Sequence, residues 1–269
     1  MRIALSLLLL AACDRPNVLV VCHNSNCAEP TDPENDDSIA ALEESLSLDV
    51  IDGTEVDLFW DAANNRCIFA HDIENATGEL ATDASRVIAE HLASPGPITA
   101  SGSNFQMFIE VKDFVDAAKT VHPTPEQRRL HAQCTWDFYK TVSDAAIANG
   151  RVLDVYIASF GPEMLKEVIA QTPASVPFPP HYEAFYGVPR PLDSETRPLS
   201  DYAGIPISFV ELHSQWINDA QYEGLLSSGI DFGFYMFSTT VEHLAAIEQY
   251  EPKIVNTSEA TLMRRWLDR

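Results

Sequence analysis

Glu55-Val56-Asp57 puts two carboxylates on one face of a strand, because strand side chains alternate and residues i and i+2 point the same way. Val56, Leu58 and Phe59 make their surroundings apolar, so the pair calls for a positive partner. Glu110-Val111-Lys112 repeats the spacing with a carboxylate and an ammonium. His23 follows the apolar run VLVVC, His71-Asp72 follows CIFA, Ser159 closes VLDVYIAS, and His213 closes ISFVELH. Glu55, Asp57 and Glu110 together suit one hard divalent cation, Mg2+ or Ca2+, completed by water or by phosphate oxygens. His23 and His71 suit a general acid and base pair, and Lys112 supplies fixed positive charge for an anionic transition state. Such a set fits phosphoryl transfer on a diester better than acyl transfer, and Ser159 lacks the strand-turn-helix context of an activated nucleophile.

These groups come from stretches far apart in the chain, so the fold has to bring strand ends to one rim. A parallel barrel does this at the C-terminal ends of its strands. Short β-rich runs alternate with helical ones along almost all of residues 17–269. The strands are VLVVC, TEVDLFW, FQMFIEV, VLDVYIASF, HYEAFYGV, ISFVELHS, FGFYMFS and KIVNT. Between them lie a helix capped by Asn35 or Asp37, a long helix over 123–150 with Thr124 as cap and Pro125 at its first position, and the runs GPEMLKEVIAQ, INDAQYEGLLSSG and VEHLAAIEQY. CIFAH returns after the turn-rich DAANNR, a hairpin-like excursion after the second strand. Eight β/α units predict an α/β fold of the TIM-type (β/α)8 barrel. An open doubly wound sheet finds no GxGxxG or P-loop to support it. A Pro-rich segment, 173–206, interrupts the rhythm and is long enough to cover a barrel mouth. His91, His122, His131, His181 and His243 read as surface or helix residues, with His181, like His213, within reach of the rim.

The formal charge of −23, from 40 acids against 17 bases, argues against nucleic-acid binding and against docking on anionic lipid headgroups. An anionic substrate would then need positive charge built into its site. MRIALSLLLLAAC has a basic start, an apolar run too short to span a bilayer, and small residues after it. Leu10-Ala11-Ala12-Cys13 resembles a bacterial lipobox, which makes residues 1–13 a signal peptide, Cys13 the lipid-modified residue and 14–269 one exported domain. An ordinary secretory signal is the alternative. Membrane contact is expected only through the anchor. In an oxidising compartment Cys22, Cys27, Cys67 and Cys134 form up to two disulfides, in any of three pairings.

In order, His23-Asn24, Pro33-Glu34-Asn35, Glu55-x-Asp57, His71-Asp72, Glu110-x-Lys112 and Ser159-Phe160 resemble the pattern of the glycerophosphodiester phosphodiesterase family, within the phospholipase-C-like barrels. That pattern runs His-Arg, Pro-Glu-Asn, Glu-x-Asp, His-Asp, Glu-x-Lys, Ser-Phe, and the similarity extends over about residues 18–265. It implies Glu55, Asp57 and Glu110 as metal ligands, His23 and His71 as acid and base, and Lys112 contacting the phosphate or orienting the carboxylates; Asn24, Ser159 and, from its place at a strand end, His213 are further candidates for the phosphate site. It also implies a small-molecule or lipid-derived phosphodiester as substrate. Two departures stand out: the family's His-Arg-Gly reads His23-Asn24-Ser25, and Met236 falls where a Trp is usual. Arg190 or Arg197 would be the replacement cation. A lipid phosphodiesterase of phospholipase D or sphingomyelinase D type, and a non-catalytic phosphodiester-binding lipoprotein, are the competing readings.

Overall fold

A computed structural model describes residues 17–28, 35–74, 76–116, 118–185, 198–215 and 217–269. The signal and lipobox residues with Cys13, Pro33-Glu34 of the motif, and Arg190 and Arg197 lie outside the described residues.

Eight parallel strands close on themselves: β1 (Leu19–Cys22), β2 (Gly53–Asp61), β4 (Phe105–Val111), β5 (Leu153–Ala158), β6 (His181–Phe185), β7 (Ile207–His213), β8 (Asp231–Met236) and β9 (Ile254–Thr257). Closure is made by β1 between β9 and β2, with Val21 opposite both Asn256 and Gly53. The remaining strand, β3 (Arg66–Phe69), pairs antiparallel on β2 outside the barrel, as the excursion predicts. Its turn is held by Asp61, which accepts from Asn64 N at 3.2 Å and Arg66 Nε at 3.0 Å. Gly53 sits where β2 meets β4: a Cβ there would lie 1.9 Å from the Gln106 carbonyl oxygen.

The helices are α1 (Ile39–Leu46), α2 (Ala81–Ala93), α3 (Pro125–Ala148), α4 (Pro162–Ala170), α5 (Asp219–Ser228), α6 (Val241–Tyr250) and α7 (Ala260–Leu267). Thr124 caps α3 as expected, in a reciprocal bond with Gln127. The sequence reading assigns no helix at α2, whose apolar positions Val87, Ile88 and Leu92 pack into the main core. The cap of α1 is Ser38, which accepts from Ala41 N at 3.2 Å; neither Asn35 nor Asp37 has that place. The fifth of the eight β/α units is also incomplete. Among the described residues β6 and β7 are joined by a short 3-10 turn, Leu199–Tyr202, and not by an α-helix.

Two layers fill the barrel. Its axis is plugged by Val21, Phe108, Tyr156, Phe209 and Ile254, with Phe108 stacked on Tyr156 at 4.2 Å. The larger core lies between the outer faces of the strands and the helices. Two disulfides select one of the three pairings: Cys22–Cys27 within the turn after β1, and Cys67–Cys134 tying β3 to α3.

Candidate active site

Above the apolar plug the inward positions change character. Glu55 and Asp57 follow Gly53 on the inner face of β2, and β4 brings Glu110 opposite Asp57 in register. One oxygen from each of the three carboxylates lies within 4.8 Å of the others, and all three residues are buried. Lys112 is the positive partner that the strand pattern calls for. Its Nζ lies 2.7 Å from Asp57 Oδ2 and 2.7 Å from Glu110 Oε1. One ammonium does not neutralise three acids, and Asp57 Oδ1 is buried with no hydrogen-bond partner. A cluster of oxygens with a buried acceptor left over fits a hard divalent cation.

The electrostatics follow from this crowding. Burial pushes Glu55 well above the usual carboxylate range, reinforced by Asp57, Glu211 and Glu110. Burial also raises Glu110, to about 7, although Lys112 opposes it. Asp57 feels the same burial, but Lys112 and His71 outweigh it and hold it below its ordinary value. Burial pulls Lys112 down, yet Asp57 and Glu110 more than compensate and keep it charged.

The histidines flank the carboxylates. His23 lies in the turn after β1, its Nε2 3.8 Å from Glu55 Oε2 and its Nδ1 3.5 Å from Ser258 Oγ. Burial is the main reason its pKa falls to about 3, so the ring is neutral. His71 follows β3; its Nε2 is 4.0 Å from Asp57 Oδ2, and its Nδ1 is 2.9 Å from Asp72 Oδ2. The hydrogen bond with His71 lowers Asp72 to about 2. A cleft opens on this side, lined by His71, Asp72, Glu110, Lys112, Lys119 and Phe160.

Other expected site residues take different places. The Asn24 amide is directed at Asp36 Oδ2, 3.1 Å away, and its backbone N–H at Glu55 Oε2, 3.3 Å away. Ser159 is fully buried: its hydroxyl donates to Val111 O at 2.7 Å and accepts from Gly161 N, which fixes the turn after β5. His213 is at the end of β7, its ring edge-on to Tyr235 and His243. Met236 is fully buried; it is the next residue, Phe237, 60% exposed, that stands edge-on to His23 at 5.0 Å. His181 begins β6, at the floor of the barrel, bonded to Ser208 and stacked on Tyr156. His131 and His243 are on helices, one of the two places the sequence allows, and are buried there.

Four residues here escape the sequence reading. Asp37 accepts from Asp57 N at 3.1 Å, and burial together with Asp57 raises its pKa well above the ordinary value. Asn256 on β9 donates to Glu55 Oε2 at 2.8 Å. Glu183 and Glu211 are buried on the inner faces of β6 and β7, and burial raises both, Glu211 to about 8. Each is a lone acid inside a strand run and lacks the paired i, i+2 spacing that marks Glu55 and Asp57.

The acid-and-histidine rim is carried by a closed parallel barrel with an antiparallel strand outside β2, a fold this chain shares with solved phosphodiesterases. More specifically, the chain has the fold of the glycerophosphodiester phosphodiesterases. One from Parabacteroides distasonis superposes with a TM-score of 0.59 at 16% identity, covering 94% of this chain and 98% of that one. A phosphodiesterase from Oleispira antarctica, solved in complex with the product sn-glycerol-3-phosphate, gives 0.61 at 11% identity over 93% and 97%. One from Thermotoga maritima gives 0.52 at 12% identity over 93% and 98%. No protein-family model and no curated protein matches the chain.

Proposed function

We propose that this chain is a phosphoric diester hydrolase that needs one divalent cation, Mg2+ or Ca2+, and acts on glycerophosphodiester-like molecules. The observation that carries the reading is the buried triad Glu55, Asp57 and Glu110, with Lys112 between two of its members and a histidine on either side. The complex of the Oleispira antarctica protein with sn-glycerol-3-phosphate supports a small phosphodiester as substrate.

The three carboxylates would hold the cation, whose contribution when bound is to neutralise and polarise the phosphoryl oxygens. Lys112 adds positive charge to the same wall and bridges Asp57 and Glu110. His23, buried with Nε2 3.8 Å from Glu55 Oε2, stands where it would take the proton of the attacking hydroxyl. His71, with Nδ1–H on the Asp72 carboxylate, turns Nε2 towards the rim, where its protonated form gives a proton to the leaving oxygen. The attacking hydroxyl belongs either to water or to the substrate's own neighbouring alcohol.

Export and lipid attachment through Cys13 belong to the same proposal; two disulfides are in keeping with an oxidising compartment. The test is turnover of a panel of soluble diesters with Mg2+, with Ca2+ and with chelator, beside His23→Ala and His71→Ala. Loss of turnover by about 10²–10⁴-fold is expected in each histidine variant. Undiminished turnover in chelator would overturn cation dependence. Cation binding without turnover on any diester would favour the binding-protein reading.

A further inference from the structure

The turn after β1 folds against its own residue preferences. Asn24 and Ser25 are consecutive and both have left-handed backbones, with φ of 49° and 54°. For non-glycine residues that conformation carries a steric cost, although asparagine tolerates it best. The motif that the turn resembles has glycine at the position of Ser25, where the conformation would be free of that cost. His23 opens this turn, so anything that relaxes Asn24 and Ser25 moves its imidazole.

Cys22 and Cys27, both with 0% exposure, close a covalent ring around these residues, their Cα atoms 5.4 Å apart. Non-covalent ties converge on the same ring. Asn24 and Asn26 donate to the two oxygens of Asp36 at 3.1 and 2.8 Å, and Ser25 Oγ donates to Glu55 O at 2.6 Å. Asp37 N donates to Asn24 O at 2.9 Å, and Cys27 N to Ser45 Oγ at 3.0 Å.

We propose that the Cys22–Cys27 disulfide is a positioning element for His23: a strap that holds the turn in a shape its own residues disfavour, in place of the glycine. The proposal rests on the phosphodiesterase reading for its activity readout. Its rival is a disulfide that merely stabilises the chain, and Cys67–Cys134 is the internal control. Cys67–Cys134 spans 67 residues and Cys22–Cys27 spans 5, so loop-closure entropy makes the former the stronger stabiliser. The Cys22–Cys27 ring confines His23 within six residues, whereas the His71, Glu110 and Lys112 enclosed by the long Cys67–Cys134 loop are placed by the pairing of β3 and β4 with β2.

The experiment compares Cys22→Ala/Cys27→Ala with Cys67→Ala/Cys134→Ala in the full chain. It reads melting temperature, Mg2+ affinity by calorimetry, and kcat and KM on bis(p-nitrophenyl) phosphate. Removing the first pair is expected to lower kcat about tenfold or more while Mg2+ affinity stays within about twofold, on the scale by which misplaced catalytic groups lose rate. Removing the second is expected to lower the melting temperature further and leave kcat unchanged. Adding Ser25→Gly to the first variant is expected to recover kcat in part, or folding if the alanine pair does not fold.

Equal effects of the two pairs on kcat, no effect of the first, or no rescue by Ser25→Gly overturns the proposal. Absence of turnover in the unaltered chain falls on the functional reading instead. The strap is then decided by amide hydrogen exchange at Asn24–Asn26, which must accelerate when the first pair is removed and not when the second is.

Discussion

Asp52 and Asp57 lie five residues apart, the first just before β2 and the second within it; both are completely buried, and they sit at opposite ends of the barrel. At the floor, both carboxylate oxygens of Asp52 are hydrogen-bonded. Oδ2 takes Val20 N at 3.0 Å and the Arg264 guanidinium at 2.5 Å, and Oδ1 takes Ser101 N at 2.8 Å. At the mouth, Asp57 shares a lysine with Glu110 and retains an oxygen with no hydrogen-bond partner. Burial alone therefore does not mark a functional acid. The floor uses its carboxylate to lock β1, the segment after α2 and α7 together, whereas the mouth leaves acceptor capacity for something the chain does not supply.

The largest effects should separate these two ends. Asp57→Asn is expected to abolish calorimetric Mg2+ binding and lower turnover at least about 100-fold, while unfolding free energy shifts by less than about 1 kcal/mol because Lys112 keeps Glu110. Asp52→Ala should do the reverse. Stranding the Arg264 charge and two amides is expected to cost about 3–5 kcal/mol in denaturant unfolding, with kcat of the folded fraction unchanged. If both variants lost stability alike, the distinction between the two ends would fail.

A smaller effect is set by pH. The folded, cation-free protein holds Glu110 at about 7 against an ordinary value of 4.5, so it binds more protons than the unfolded chain between those values. The contribution of Glu110 to stability is thus fully present below 4.5 and is lost as pH rises through about 7. A bound cation needs the ionised form and must expel that proton. The rise in melting temperature produced by Mg2+ should therefore widen from about pH 5 to pH 8 and then level off. His23 works in the opposite sense: with its folded value lowered to about 3, its contribution is present above 6.5 and is lost as pH falls. A Mg2+ shift independent of pH would mean that Glu110 is not a ligand.

The smallest effect concerns Ser38. Ser38→Ala should cost about 1 kcal/mol through the lost cap of α1 and leave Mg2+ affinity intact, despite the adjacent Asp37. A change in Mg2+ affinity would show that the turn before α1 belongs to the mouth.

Much of the site was legible because strand alternation is strict. Period two puts Glu55 beside Asp57 and Glu110 beside Lys112 whatever the rest of the chain does. Parallel strands then bring their C-terminal ends to one rim, which gathers His23 and His71. Helix caps were less certain, since Asp37 and Ser38 are both good capping types and only the backbone at Asp37, with φ of 53°, shows which one ends the turn. Asn24 looked like a phosphate contact because it occupies an arginine's place; its short amide reaches Asp36 instead.

The sequence by itself determined the barrel, the face of each strand on which its acids lie, and the chemical type of the rim. Closure decided the rest. Asn256 reaches Glu55 across 201 residues, Glu183 meets Glu211 from the neighbouring strand, and Cys22 pairs with Cys27. Local periodicity fixes the direction of a side chain and carries no information about distance across a barrel, which depends on the register in which eight strands close.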